Sequence, residues 1–304
     1  MELEWLEDFL AVVDSGGFSR AAEARRITQP ALSRRIQALE EWVGTPLLHR
    51  TTHSVTLSPA GEAFRSSAEE ILRRLAAGRG EALERAKGAD ALLFASTNAL
   101  SLTFFPGWLR RIERELPFTA SIQLVANHME ACERLMLQGQ VQFLLCHHHP
   151  QAETALAPSQ FTSVRVGADV LMPVTAPVSG SEQTPLHALP GTGETPVAYL
   201  AYSAESGMGR IVAAVRRASH LKPMLKPVFS SHVAKLLVTM ALERRGMAWL
   251  PRSLIEEHLA NGQLVRSGDG GWDIPIEVRL FRPKVRQTAV AEQFWRHVAA
   301  PTPE

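Results

Sequence analysis

Cysteine is scarce in this chain: Cys132 and Cys146 are the only two among 304 residues. Two thiols cannot build a disulfide framework, so the sequence points to a reducing, cytoplasmic setting. Net charge is nearly absent too. With 32 basic and 31 acidic side chains, a uniformly basic, histone-like nucleic-acid binder is excluded, although a local basic patch is not. No run of ~18 apolar residues is free of charge, so nothing reads as a membrane span. The acidic start, Met1-Glu2-Leu3-Glu4, lacks the basic region of a secretory signal. Gly-x-Ser-x-Gly, His-Glu-x-x-His and phosphate-binding glycine loops are all missing, which argues against an enzyme and calls for no cofactor. Internal repeats and low-complexity tracts are absent as well. What remains is the ordinary mixture of a globular protein, 45% apolar and 21% charged, with a length that suits about two domains.

Three textures follow one another along the chain. Residues 1–58 read as short helices with a brief extended segment. Residues 59–88 are rich in Ala, Arg and Glu, with no proline after Pro59, as in one long helix. Residues 89–304 alternate apolar strand-length runs with amphipathic helical stretches, the pattern of an α/β domain.

In the first zone, Leu3, Leu6, Leu10 and Val13 recur at helical spacing, and Asp14-Ser15-Gly16-Gly17 stops that helix. Small residues at Ala21, Ala22 and Ala24 suit a second, closely packed helix. Thr28 is placed to cap a third, with Pro30 in its first turn. On this third helix Leu32, Ile36, Leu39 and Val43 share one stripe. At ~100° per residue, Pro30, Arg34 and Gln37 point the other way, flanked by Ser33 and Ala38. An amide, a hydroxyl and a guanidinium on an otherwise small-residue face are the groups that read base edges in a major groove. The pattern predicts a helix-turn-helix. Between Ser15 and Ala60, six arginines (20, 25, 26, 34, 35 and 50) outnumber three acids. Basic faces are common on solvated bundles, so that charge alone decides little. Leu47 to Arg50 and Ser54 to Leu57 predict a β-wing whose DNA-backbone contacts would be Arg50 and Thr52, with His49 and His53 nearby.

Phe18-Ser19-Arg20-Ala21-Ala22, Thr28-Gln29-Pro30-Ala31-Leu32-Ser33, Ile36-Gln37-Ala38-Leu39-Glu40, Leu47-Leu48-His49-Arg50 and Leu57-Ser58-Pro59-Ala60-Gly61 together resemble the LysR-type transcriptional regulators, without a gap over about residues 3–65. The resemblance implies that Gln29, Pro30, Ser33 and Arg34 face double-stranded DNA, with Arg50 in the wing.

Within residues 59–88, Phe64, Ala68, Ile71, Leu75, Gly78 and Ala82 alternate at spacings of four and three, an apolar seam suited to a helix partner. Packing against the chain's own third domain is the alternative. The family resemblance implies a homodimer through this helix, commonly assembled further into a homotetramer. Gly78 and Gly80 weaken the helix locally.

The third zone resembles the family's effector domain, two α/β lobes like those of a periplasmic binding protein. One lobe is expected at 89–160 with 266–304, the other at 161–265. In such folds ligands sit at strand ends and helix starts, where free N–H groups favour an anion. Three expected starts carry polar side chains: Thr97, Asn98 and Ser101; Tyr202, Ser203 and Ser206; Ser230, Ser231 and His232. Helix capping accounts for any one of them alone; convergence would mean more. Asn98 to Leu102, Tyr202 to Arg210 and Gly246 to Pro251 are similar to the hypochlorite-responsive branch of the LysR family. That branch implies an oxidant sensed through methionine, whose thioether becomes a polar sulfoxide, with Met208 at a helix start as the leading candidate. Core packing is the plainer role for Met129, Met208 and Met240. Cys132 and Cys146 suit buried structural thiols better than a redox pair. Consecutive histidines at 147–149 project in different directions, which argues against a metal site.

The sequence therefore predicts a DNA-binding transcriptional regulator. Its effector would be an oxidant, or alternatively a small anionic or aromatic metabolite held between the lobes. A solute-binding protein would have no use for residues 1–60, and a constitutive DNA-bending protein would show no ligand-linked change in operator binding.

Overall fold

The computed structural model describes residues 2–50, 55–87, 91–116, 120–181, 183–220 and 222–300. They form two compact units, Met1–Ala86 with Leu137–Gln140, and Lys87–Met136 with Val141–Glu304.

The first unit opens with helices α1 (Leu3–Ser15), α2 (Phe18–Arg25) and α3 (Gln29–Val43). Each ends on a residue in left-handed backbone: Gly16, Arg26 and Gly44. Glycine takes that conformation without a steric penalty, whereas Arg26 departs from the rule. Leu6, Phe9, Val12, Ala21, Ala22, Leu32, Ile36 and Leu39 form the shared core. Strands β1 (Leu48–Arg50) and β2 (Val55–Leu57) pair antiparallel as the wing. Helix α4 (Pro59–Lys87) follows and continues through both Gly78 and Gly80.

The second unit has two hydrophobic cores. Strand β3 (Ala91–Thr97) lies parallel to β4 (Ser121–Asn127) and to β5 (Phe143–His148). Helices α5 (Asn98–Thr103), α6 (Phe105–Glu115) and α7 (Met129–Leu137) connect them. Phe104 separates α5 from α6, with Pro106 in the first turn of the second helix. The first core is aromatic. Phe94 stacks on Phe143 at 5.1 Å and meets Phe294 edge-on at 5.4 Å.

Strands β6 (Phe161–Thr175) and β11 (Ile274–Pro283) are the long antiparallel pair, and they run from one core into the other. Val278 and Leu280 belong to the first core, while Leu171, Val174, Ile274 and Ile276 belong to the second. One sheet thus runs β10 (Val265–Arg266), β6, β11, β5, β3, β4, with β9 (Ala248–Pro251) also on β6. Around the second core stand the parallel pair β7 (Val197–Tyr202) and β8 (Leu225–Ser231). Helices α8 (Gly207–Ala218), α9 (Ala234–Leu242) and α10 (Arg252–Ala260) complete this lobe. A closing helix, α11 (Ala289–Ala299), is capped by Thr288 and returns Ala291 and Phe294 to the first core.

A candidate DNA-reading helix and an effector cavity

The first unit holds α3 with a buried ion cluster. The Asp8 carboxylate on α1 is fully buried and accepts from Arg25 Nε at 2.7 Å and Arg35 NH1 at 3.1 Å. A buried carboxylate is tolerable only when paired in this way. Two of the six arginines that made the zone basic are therefore structural ties between helices. Arg34 differs: it is exposed, and among the described residues it makes no ion pair or hydrogen bond. Gln29, Pro30 and Gln37 are exposed beside it, and Ser33 is half-buried. Ser19 Oγ donates to Gln29 Oε1 at 3.1 Å, which orients that amide. Thr28 caps the helix, its Oγ1 accepting from Ala31 N.

The wing is tied to both of its neighbours. Glu40 Oε1 accepts from the backbone N–H groups of Leu47 and Leu48, at 2.9 and 3.1 Å. Ser58 Oγ donates to the Pro46 carbonyl at 2.7 Å and accepts from Gly61 N, capping α4. A side chain at Gly61 would overlap the Leu47 carbonyl, so only glycine fits there. His49 is exposed on β1. Arg50 lies on β1, while the positions of Thr52 and His53 fall outside the described residues.

The seam on α4 divides. Phe64 meets Phe9 edge-on at 5.7 Å and Ala68 is fully buried, so this half packs on the first unit's own core. Ile71 and Leu75 are exposed, at 42% and 52% of their accessible surface, and so are Gly78 and Ala82. The inward stripe continues instead through Leu72.

In the second unit a cavity with room of about 20 Å³ lies among the starts of helices. That space is large enough for a water or a monatomic ion. Thr97, Asn98, Asn127, His128, Met129, His147, Ser206, Gly207, Met208, His232 and Ala234 line it. Met129, Gly207 and Ala234 are the first residues of α7, α8 and α9, so the positive ends of three helix dipoles meet at one small space, although Glu130 N and Ala131 N of α7 already donate to the Glu205 carbonyl and to His128 Nδ1. Ser206 Oγ caps α8 by accepting from Gly209 N. His128 and His232 face each other across the gap with ring centres 5.2 Å apart. His147, at the end of β5, is 6% exposed, and among the described residues neither ring nitrogen has a hydrogen-bond partner. Burial holds its pKa down at about 4, only partly offset by Asp169. The ring is thus neutral near pH 7, with one donor and one acceptor unspent. Thr97 Oγ1 is also buried without a partner.

The chain matches the model of the bacterial regulatory helix-turn-helix protein, lysR family, over residues 3–62, and that of the LysR substrate binding domain over residues 85–301. The chain belongs to the LysR family of transcriptional regulators. It is 32% identical to the HTH-type transcriptional regulator YjiE of Escherichia coli K12, covering 98% of this chain and 94% of that one. The full-length structure of HypT from Salmonella typhimurium, described as a hypochlorite-specific LysR-type regulator, is 30% identical with a TM-score of 0.57, and 98% of each chain is covered. The bromide-bound regulatory domain of HypT is 26% identical with a TM-score of 0.54, over 69% of this chain and 93% of that one. No helix among the described residues is long and apolar enough to cross a membrane.

For a LysR regulator the cavity is the effector pocket to examine, and the structure sorts the candidates drawn from the sequence. Thr97, Asn98, Ser206, Met208 and His232 line it together. Ser101 does not; its Oγ donates to the Asn98 carbonyl. The Tyr202 hydroxyl is buried away from the cavity, and burial raises its pKa well above the usual range. Ser203 lies in the turn before α8, where its carbonyl accepts from Ser206 N. Ser230 is exposed, and Ser231 Oγ accepts from Val233 N. These five are absent from the lining because polar side chains near strand ends are as readily used for local turns and caps.

Sequence reasoning missed Asn127, His128, Met129 and His147. The first three sit at the β4–α7 turn, a fourth strand-to-helix junction of the kind already considered. His147 was dismissed with its neighbours as a metal motif. Among the described residues no group of three or more His, Cys, Asp or Glu is placed to hold a metal ion. Cys132 and Cys146 are buried free thiols. Burial pushes the pKa of Cys132 up to about 12 and that of Cys146 higher still, so neither is a ready nucleophile.

Proposed function

We propose that this LysR regulator reads an operator through Thr28, Gln29, Pro30, Ser33, Arg34 and Gln37, with Arg50 and Thr52 on the flanking backbone. It does so in the cytoplasm as a dimer joined along the exposed half of α4, and two dimers form the tetramer. The working modules are 1–58 for DNA, 59–88 for pairing and 89–304 for the effector, with lobes at 89–160 plus 266–304 and at 161–265. The effector is a small inorganic anion or the oxidant related to it, hypochlorite.

The observation that carries this reading is the small cavity where the starts of α7, α8 and α9 meet. Helix N-termini favour negative charge, and room of about 20 Å³ suits a halide or hypochlorite far better than an aromatic metabolite. Bromide bound to the regulatory domain of HypT and the hypochlorite specificity of that protein support the same class of ligand. Met208 lies in the cavity wall. Its thioether sulfur would take the oxygen of hypochlorous acid, releasing chloride and a proton and leaving a sulfoxide. A polar, bulkier side chain at the start of α8 would shift the lobe arrangement, and through it the geometry of the paired DNA modules. Footprinting of the full chain on genomic DNA with and without hypochlorite tests this. An oxidant-dependent change in the protected sites is expected, and an unchanged footprint would remove the oxidant from the mechanism.

A further inference from the structure

We propose that His147 is the residue that makes anion capture in this cavity proton-coupled: the anion enters as the imidazole takes up a proton. The inference rests on reading the cavity as the effector site. Three features carry it.

First, His147 reaches both cavities of this region. It lines the effector pocket with Thr97, Met129 and Met208, and also the adjoining space lined by Arg210 and Thr154. Second, the ring is buried with both nitrogens unspent. An uncompensated polar group in the interior is costly unless a partner arrives to complete it. Third, no fixed cation in the wall is free to neutralise an incoming anion. Among the cavity-lining residues there is no lysine or arginine, and Arg210 beyond it is paired with Glu133 at 2.7 Å.

The surrounding charges leave His147 as the adjustable one. On its own strand it adjoins Cys146, whose thiol burial keeps protonated, and His148. On β11, Glu277 and Arg279 pair with each other at 2.6 Å. On α7 and α8, Glu133 and Arg210 do the same. Asp169 on β6 is held by Ser253 and stabilises the protonated ring from a distance. His128 and His232 stand across the cavity, with the Glu205 carboxylate beside them. Empty, the pocket cannot support an imidazolium, because burial opposes it. A bound anion supplies the missing counter-charge and raises the pKa of the ring, so binding draws in a proton wherever pH lies between the free and bound values. Affinity is then greatest at low pH and falls by up to about tenfold per pH unit across that window.

The test is calorimetric titration of the full chain with bromide, at about pH 5.5 and about pH 7.5 and in two buffers of different ionisation heat, which counts protons. The wild-type protein is expected to bind more tightly at the lower pH and to take up a fraction of a proton approaching one. His147→Gln keeps a neutral donor and acceptor and should bind with no proton uptake and no pH dependence. The double variant His128→Gln/His232→Gln changes the cavity wall and so the affinity, but the proton uptake and the pH dependence should persist. Should the glutamine variant fold poorly, the side-chain nitrogen resonances of His147 in the wild-type chain must move to the imidazolium position on adding bromide. Pocket binding with no proton uptake, or uptake lost only in the double variant, overturns the inference while leaving the anion site standing. No bromide binding at either pH overturns the effector reading itself, and the inference with it.

Discussion

Arg210 NH1 on α8 lies 2.7 Å from Glu133 Oε2 on α7. The carboxylate also accepts from Thr154 Oγ1 at 2.8 Å and from Ala155 N at 2.9 Å. Glu133 is one helical turn beyond Met129, and Arg210 is about one turn beyond Gly207, which Met129 packs against. The ion pair thus ties α7 to α8 about one turn beyond two of the three helix starts at the proposed effector pocket. Arg210→Ala leaves Glu133 buried and short of a partner, a loss on the order of 2–4 kcal/mol to the second unit. Thermal unfolding of that variant should show a clear drop, and an unchanged midpoint would mean that the pair contributes little.

The DNA-reading face is tested at Arg34. Its neighbours Arg25 and Arg35 are engaged by Asp8, whereas Arg34 is exposed. Arg34→Ala should weaken specific operator binding by ~1–3 kcal/mol and leave the fold and oligomeric state intact. Arg25→Ala should instead lower stability. Gel-shift titration and unfolding curves separate the two, and equal operator affinity with and without Arg34 would exclude it from readout.

Exposed Ile71 and Leu75 make the proposed pairing through α4 testable. Leu75→Glu places a charge where an apolar contact is expected. It should shift the oligomer toward monomer in sedimentation experiments, with operator affinity falling in parallel. The same change at Leu72, half-buried against the first unit's own core, should lower stability instead.

Met208→Leu conserves volume in the pocket wall but removes the oxidisable sulfur. The variant should fold and bind DNA yet respond only weakly to hypochlorite. A full transcriptional response would take Met208 out of the mechanism.

His147 predicts a pH dependence of stability. Its folded pKa, about 4, lies below the ordinary value near 6.5, so the unfolded chain binds more protons between those limits. The contribution is therefore fully present above about pH 6.5 and is lost as pH falls toward 4, amounting to roughly 2–4 kcal/mol. His147→Gln should flatten that part of the stability curve for the anion-free protein. An identical curve would show that the buried ring does not control it.

Much of the first unit was readable because its periodicity and its caps agree. Leu32, Ile36 and Leu39 are buried where the stripe placed them, Thr28 caps, and Pro30 sits in the first turn. The charge count was less informative, since an arginine held by a buried aspartate looks in sequence like one facing solvent. The α4 seam misled for a related reason. A regular four-three spacing marks a stripe but not which molecule covers it, and Phe64 and Ala68 are covered by their own chain. In the second unit, β8 carries little strand signal in the sequence, because Lys226, Pro227 and two serines interrupt its apolar pattern on a largely exposed strand. The candidate effector cavity was half legible. Helix starts can be guessed from capping residues, but which starts meet depends on how β6 and β11 join the two cores. That is why Met129 and His147 emerged only in three dimensions.

The glycine at position 61 has a consequence for how the first unit works. Backbone meets backbone there without a side chain between, Ser58 fastens the same corner, and Glu40 grips the strand on its other side. The start of α4, the described strands of the wing and α3 are consequently fastened to one another at this corner. In a paired assembly, the distance between two such reading heads would be set by the angle at which their shafts cross, so a few degrees of twist far from the duplex would decide which operator spacing can be gripped.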